Sequence, residues 1–366
     1  MSATELAELT AALVRAESVN PSLDPAGSGE APAVRVAAVW AESQGLRVEV
    51  DELGPSRVNL LVHGGRGGGR TVMLLGHLDT VGGVAMADPF AGAVRDGCVH
   101  GRGAYDMKGG VAAALVAARD LEHAGLDGSV VVACAADEEY ASLGAEQLVA
   151  RGPRPDHVIV CEPTDERLCI AHRVFAGFEI EVRGRAAHGS RPDLGVDAIA
   201  ATGVVLTRLG ALADELLALG PHPLLGSPSV HASLISGGQE FSSYPERCVL
   251  QGERRTLPGE TDEVIGAEVA ALAAGVDATT RLVFSRPPLE TDPEHELVQA
   301  VARASGASSF EGVPFWTDGA LFAEAGIPTV IFGPRGAGAH AAREWVEIES
   351  LARCADVYAE AVRLLA

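Results

Sequence analysis

Lysine is almost missing from this 366-residue chain: of 28 Lys and Arg residues, only Lys108 is a lysine. Basic residues as a whole fall far short of the 50 acidic ones, and the formal net charge is −22. Such a chain lacks the basic footprint that nucleic acid or an anionic membrane needs, so neither is expected as a partner. Long apolar runs are missing too. Stretches such as Val130 to Ala136 fall far below the ~20 residues of a membrane helix. The opening Met-Ser-Ala-Thr-Glu-Leu has no basic start and no apolar core, so no secretory signal is expected. The six cysteines (Cys98, Cys134, Cys161, Cys169, Cys248, Cys354) form no Cys-x-x-Cys. That argues against a thiolate zinc site or a disulfide framework and fits reduced thiols in the cytoplasm.

What the chain does contain can build cores: 47% of residues are hydrophobic and 21% charged. Its length corresponds to two domains, or three small ones, at about 100–200 residues each. Helices are expected over Thr4–Glu17, where Leu6, Leu9 and Leu13 share a face before Asn20-Pro21 stops it, and over Ala31–Gly45. Uniformly apolar runs then alternate with helical segments: Val58–Val62, Thr71–Leu75, Val130–Ala135 and Val158–Cys161, with helices at Met107–Ala124 and Leu143–Arg151. Such runs suit strands buried on both faces of an α/β sheet, mixed but mostly parallel, covered by helices. The Gly64–Gly69 stretch lacks the lysine of a phosphate-binding loop and is expected as a hairpin turn between Val58–Val62 and Thr71–Leu75.

From about Arg173 the pattern changes. Phe178 to Arg183 alternates strictly, and the order that follows is β-α-β-β-α-β, a ferredoxin-like arrangement. The α/β pattern resumes at Thr329–Phe332 and ends in a helix from Ile348. The expectation is therefore one α/β domain, residues 1–173 and 288–366, interrupted by an α+β domain over 174–287.

Four of the buried strands run into metal-capable residues. Thr71–Leu75 leads to His77 and Asp79, Val130–Ala135 to Glu138 and Glu139, Val158–Cys161 to Glu162, and Thr329–Phe332 to a loop reaching His340. Asp106 adds a fifth point beside a helix start. Ligands of open α/β sheets bind at the carboxyl ends of strands, so these segments are expected to converge. Each alone has a plain structural explanation, from a solvated acidic helix start at Glu138-Glu139 to a helix cap at Asp106. Together their types suit two ions of zinc, cobalt or manganese. Asp106 would bridge, His77 and Glu162 would hold one ion, and Glu139 and His340 the other. Glu138 would remain free to carry protons, and Asp79 would fix the His77 ring.

These residues, in this order, resemble the superfamily of zinc-dependent acyl-amino-acid deacylases and exopeptidases. It includes acetylornithine deacetylase, succinyl-diaminopimelate desuccinylase, aminoacylase and glutamate carboxypeptidase. The resemblance runs from Gly76-His77-Leu78-Asp79-Thr80-Val81 through Gly101–Gly110 and Asp137-Glu138-Glu139 to the tail around His340 and Trp345. Cys161-Glu162-Pro163-Thr164 and that tail look like the acetylornithine deacetylase branch. The resemblance implies that the inserted domain serves as a lid and homodimer contact, that His188 helps hold an oxyanion, and that Arg255 binds a substrate carboxylate. It gives Lys108 no chemical role. It also implies hydrolysis of a small N-acyl-L-amino acid, with a carboxypeptidase or dipeptidase as the nearest alternative and a non-catalytic binding protein as a more distant one. One departure is visible: Ser242 stands where the family usually has asparagine.

Overall fold

A computed structural model describes residues 3–83 and 86–366, and its contacts divide them into two compact units. The first comprises Met1–Ala171, Leu289–Glu311 and Thr317–Ala366; the second comprises His172–Pro288 and Gly312–Trp316. Among the described residues no helix is long and apolar enough to cross a membrane.

The first unit is built on a mixed sheet whose strands run in the order Arg47–Gly54, Arg57–Gly64, Ser129–Ala135, Thr71–His77, His157–Val160, Thr329–Ile331, Cys169–His172, Leu289–Glu290. The centre is parallel: Thr71–His77 pairs in that sense with Ser129–Ala135 and His157–Val160, and Thr329–Ile331 with His157–Val160. Val72, Met73, Leu74, Val130, Val132, Val158 and Val330 lie fully or almost fully buried there, as strands covered on both faces require. The helix Gly109–Ala124 is buried almost all round, and its Gly110 meets the sheet closely. A β-carbon at Gly110 would fall 2.2 Å from the Cys161 carbonyl, and one at Gly333 would fall 2.1 Å from that of Glu162. Glycine at both places lets the backbone close in behind Glu162.

The hairpin expected at Gly64–Gly69 is not formed. Ser129–Ala135 lies between the two strands that the turn was to join, antiparallel to one and parallel to the other. The glycine run is instead a loop over the sheet end, with Arg66 N–H donating to Leu126 O and Gly67 N–H to Gly128 O. Local turn signals could not reveal the strand inserted from 60 residues downstream.

The second unit carries the alternating strand Val174–Arg183 at an inner position of a four-stranded antiparallel sheet, beside Arg247–Thr256 and Ala278–Phe284, with Ser229–Gly237 at the edge. Phe178, Ile180, Val182 and Leu250 pack against Val205 and Leu209 of one helix and Ile265 and Val269 of the other. The strand order is that of a ferredoxin-like domain.

Lys108 explains its own survival. It is fully buried, and its ammonium donates to the carbonyls of Leu13 and Ala16, 2.9 Å each, at the C-terminal end of the first helix, Ala3–Arg15. A cation there satisfies carbonyls that have no helical partner. Burial pulls its pKa down to about 7 despite Glu344, Glu17 and Asp79, yet the neutral amine still donates. Lys108→Met should cost about 2–4 kcal/mol in urea unfolding, because it leaves buried acceptors unpaired.

Candidate metal centre

The parallel strands end on one edge, and the side chains that follow them meet. His77 is the last residue of its strand, and its Nε2 lies 3.4 Å from Asp106 Oδ1, 3.4 Å from Glu162 Oε1 and 3.7 Å from Glu138 Oε2. His340 Nε2 lies 3.2 Å from the other Asp106 oxygen, Oδ2, and 3.0 Å from Glu139 Oε2. Asp106 thus turns one oxygen to each imidazole. Two groups of potential ligand atoms result, His77–Glu138–Glu162 and Asp106–Glu139–His340, each within 4.8 Å internally. His77 is buried, Asp106 and Glu138 are nearly so, and His340 is half exposed.

The backbone bends sharply to achieve this. Asp106 is not at a helix start: residues 106 and 107 are non-helical, the bond between them is cis, and the regular helix begins at Gly109. Glu138 and Glu139 lie in a turn in which Asp137 O accepts N–H bonds from Tyr140, Ala141 and Ser142, ahead of the helix Leu143–Arg151. They are not a solvated helix start; Glu139 is only 6% exposed.

Asp79 sits as expected beside His77, but the short contact to the ring is from its backbone. His77 Nδ1 is 3.0 Å from Asp79 O and 3.5 Å from its carboxylate. The carboxylate accepts instead from Asn20 Nδ2, 2.8 Å, and from the Glu139 amide, 3.2 Å. Asn20 also donates to Asp137, 2.9 Å, and its oxygen accepts from Arg57, which pairs with Glu30 and Asp137 at 2.7 Å each. This buried network ties the His77 strand to the Glu138 turn. In the sequence Asn20 reads only as a helix stop, because a polar side chain's burial depends on partners far along the chain. Asp318 carries no signal in the sequence either: it is buried, and its charge raises the proton affinity of Glu138.

Electrostatics show how poorly the centre tolerates its own charges. Burial alone would lower the pKa of His77, but the charge of Glu138 and the close carboxylates of Asp106, Asp79 and Glu162 lift it well above 6.5. His340 rises to about 10 through its bonds to Asp106 and Glu139. Burial pushes Glu138 well up, with the charges of Glu162, Asp318 and Glu139 adding to it against His77, and carries Glu162 and Asp318 to about 7 each. Burial would also raise Asp106, but the bonds from both histidines hold it below the usual carboxylate range. Buried carboxylates crowded around two imidazoles want more positive charge than protons give at neutral pH. His77 Nε2 has no geometrically satisfactory hydrogen-bond partner despite being buried. Oxygen and imidazole donors with an orphaned ring nitrogen fit divalent cations.

A pH dependence follows. Glu162 and Asp318 hold folded-state pKa values of about 7 against 4.5 and 3.8. A raised carboxyl costs stability as pH climbs from its unfolded value through its folded one. The metal-free protein should therefore lose thermal stability between about pH 4.5 and 7. Divalent ions bind the deprotonated forms, so the rise in Tm they produce should grow over that range, and loading at neutral pH should release about two protons from the imidazoles. Thermal scans with metal or chelator, and calorimetry in buffers of different ionisation heat, measure both.

His188 and Arg255 belong to the second unit. His188 is exposed on a loop, with Nδ1 2.8 Å from Ser190 Oγ, and pairs across a bridge with Ser243. Arg255 lies partly exposed over the Phe175 ring, 5.1 Å from its centre, and is paired with Glu253. Arg254, its neighbour on the strand, is buried and pairs with Glu260 and Glu268.

Residues 73–364 match Peptidase family M20/M25/M40. Over 349 residues the chain is 34% identical to an acetylornithine deacetylase of Myxococcus xanthus, covering 90% of this chain and 91% of the relative. It is 30% identical over 316 residues to an acetylornithine deacetylase of Proteus mirabilis (82% and 81% covered). Among solved structures it is similar to aminopeptidase PepT of Bacillus cereus, with a TM-score of 0.81 and 21% identity, covering 100% of this chain and 99% of that one. It is also similar to the YXEP protein of Bacillus subtilis, described as a dinuclear metal binding peptidase (TM-score 0.73, 18% identity, 99% and 97% covered).

Proposed function

The chain belongs to peptidase family M20/M25/M40 and is a metal-dependent amide-bond hydrolase; on that premise we propose that it deacylates a small N-acyl-L-amino acid, in the manner of an acetylornithine deacetylase, at a pair of divalent ions. The observation that carries the two-ion reading is Asp106, whose two oxygens face His77 and His340 separately, 3.4 and 3.2 Å away. His77 and Glu162 would hold one ion, Glu139 and His340 the other, and Asp106 both. Zinc is the proposed metal, with cobalt or manganese as substitutes. When bound, such ions polarise a carbonyl and bring the pKa of a water toward neutrality.

The remaining chemistry falls to side chains. Glu138 takes the proton of the attacking water on its carboxylate and passes it to the departing amine. Its burial and acidic neighbours favour the protonated form that the second transfer needs. Asp79 holds the His77 ring through its carbonyl and the Glu139 backbone through its carboxylate. Arg255 would orient the substrate carboxylate with its planar fork, and His188 would donate to the carbonyl oxygen as negative charge develops there. Homodimerisation through the second unit and residence in the cytoplasm complete the proposal. The deciding assay is a panel of N-acyl amino acids and dipeptides with zinc or cobalt. Release of acid from the former supports the deacylase; release of amino acids from dipeptides alone would replace it with a peptidase.

A further inference from the structure

Two chain segments that supply the His340 side of the centre have no covalent reason to stay together. Asp106 follows the Gly101–Gly103 bend, and His340 sits in the left-handed region, φ 58°, at the tip of a loop whose neighbour Gly338 also has positive φ. Half of the His340 side chain is exposed, so packing does not hold it. What does hold both segments is one buried ion pair that carries no ligand atom itself.

Glu344 and Arg102 are each 2% exposed and meet at 2.5 Å. The other Glu344 oxygen, Oε1, accepts the backbone N–H groups of Tyr105 and Asp106, 3.0 Å each. Arg102 also donates to the carbonyls of Ala341, 3.0 Å, and Gly82, 3.2 Å. The pair therefore grips the backbone of Asp106 from one side and the residue after His340 from the other. The short strands behind it close the frame: Trp345 pairs with His100, and Gly101 N–H donates to Glu344 O at 3.1 Å. Among the described residues no hydrogen bond runs from this pair to Glu162, whose segment is fixed by Cys161 N–H to Leu75 O, 2.8 Å, and by Gly333 N–H to Thr164 Oγ1, 3.0 Å.

We propose that Arg102 and Glu344 are positioning residues that set the affinity of one ion position, that of Asp106, Glu139 and His340, more strongly than that of the other. The inference rests on the two-ion reading above. A second layer of hydrogen bonds typically alters metal affinity by about 10–100-fold when removed. Here the effect is unequal, because the pair holds the segments of two ligands of that position, Asp106 and His340, and of only one, Asp106, at the His77–Glu162 position.

The experiment is zinc titration of chelator-treated full-length protein, read by stoichiometry and by the Kd of each equivalent, for the unaltered chain and for Glu344→Ala, Glu344→Gln, Arg102→Met and, as a reference, His340→Ala. Glu344→Ala should weaken one equivalent at least about 10-fold, the same one that His340→Ala weakens most, and weaken the other, which depends on the pair through Asp106 alone, several-fold less. Glu344→Gln keeps one oxygen for the two amides and should fall between, as should Arg102→Met. If Glu344→Ala does not fold, the glutamine and methionine variants carry the comparison. A lower Tm with both equivalents bound as in the unaltered protein would overturn the inference, since a purely structural pair does that. Equal weakening of both equivalents would also overturn it. A single equivalent in the unaltered protein would overturn the two-ion reading and the inference with it.

Discussion

Replacing Glu138 with glutamine should lower kcat by about 10³-fold while the zinc content of the purified protein stays unchanged. The variant keeps the shape of the side chain and removes its capacity to take a proton. Its value lies in separating two roles the geometry allows. Glu138 lies 3.7 Å from the His77 ring nitrogen and falls within the same potential ligand group as Glu162. A ligand and a proton carrier are distinguished by what is lost first. If Glu138→Gln loses one equivalent of zinc, as measured by elemental analysis, the residue is a ligand and the proton must move through another group; Asp318, a buried carboxyl whose charge acts on Glu138, is then the next to test. If zinc remains and kcat is unaltered, the proposed proton transfer is wrong. KM should change little, because the removed interaction serves the transition state.

Asp106→Ala should weaken both ion positions together, by at least about 100-fold, and abolish turnover. No other side chain in the centre contacts both histidines through separate oxygens. The contrast with Glu344→Ala is informative: one substitution removes the shared carboxylate, the other only the frame that aims it. The metal-free form of Asp106→Ala should also be less stable at neutral pH, since two imidazoles pushed toward the charged form lose their common acceptor. Zinc titration followed by a thermal scan of the chelated variant reads both effects. Retention of one tight equivalent would show that Asp106 serves a single ion.

The strands that aim the centre were legible because burial on both faces leaves a plain mark, an unbroken apolar run ending in a polar residue. Val130–Ala135 and Thr71–Leu75 carry that mark in full. The alternation over Phe178–Arg183 was equally plain, and the burial within the strand Val174–Arg183 follows it there residue by residue. Short pieces were not legible. The strands Cys98–His100 and Trp345–Glu347 are three residues each, too brief for a period, and form by pairing with one another and with the equally short Ala93–Arg95 and Gly336–Ala337. Likewise Arg57 and Glu344 look like surface charges in sequence. Their burial comes from partners 27 to 242 residues away, which no local pattern encodes. Most of the proposed ligands were visible because apolar runs lead into them; the frame that holds those side chains was not.

The proposed ligands are drawn from strand ends and loops that are neighbours in space yet span the chain from His77 to His340, with His172–Pro288 folded as a unit of its own in between. A ribosome delivers His340 last of the set. Until the strand Thr329–Ile331 docks beside His157–Val160, a nascent chain presents an incomplete claw to the ions of its surroundings. Cargo would therefore be taken up after synthesis of this region is finished, and a premature stop before residue 329 would leave a polypeptide that competes poorly for scarce metal.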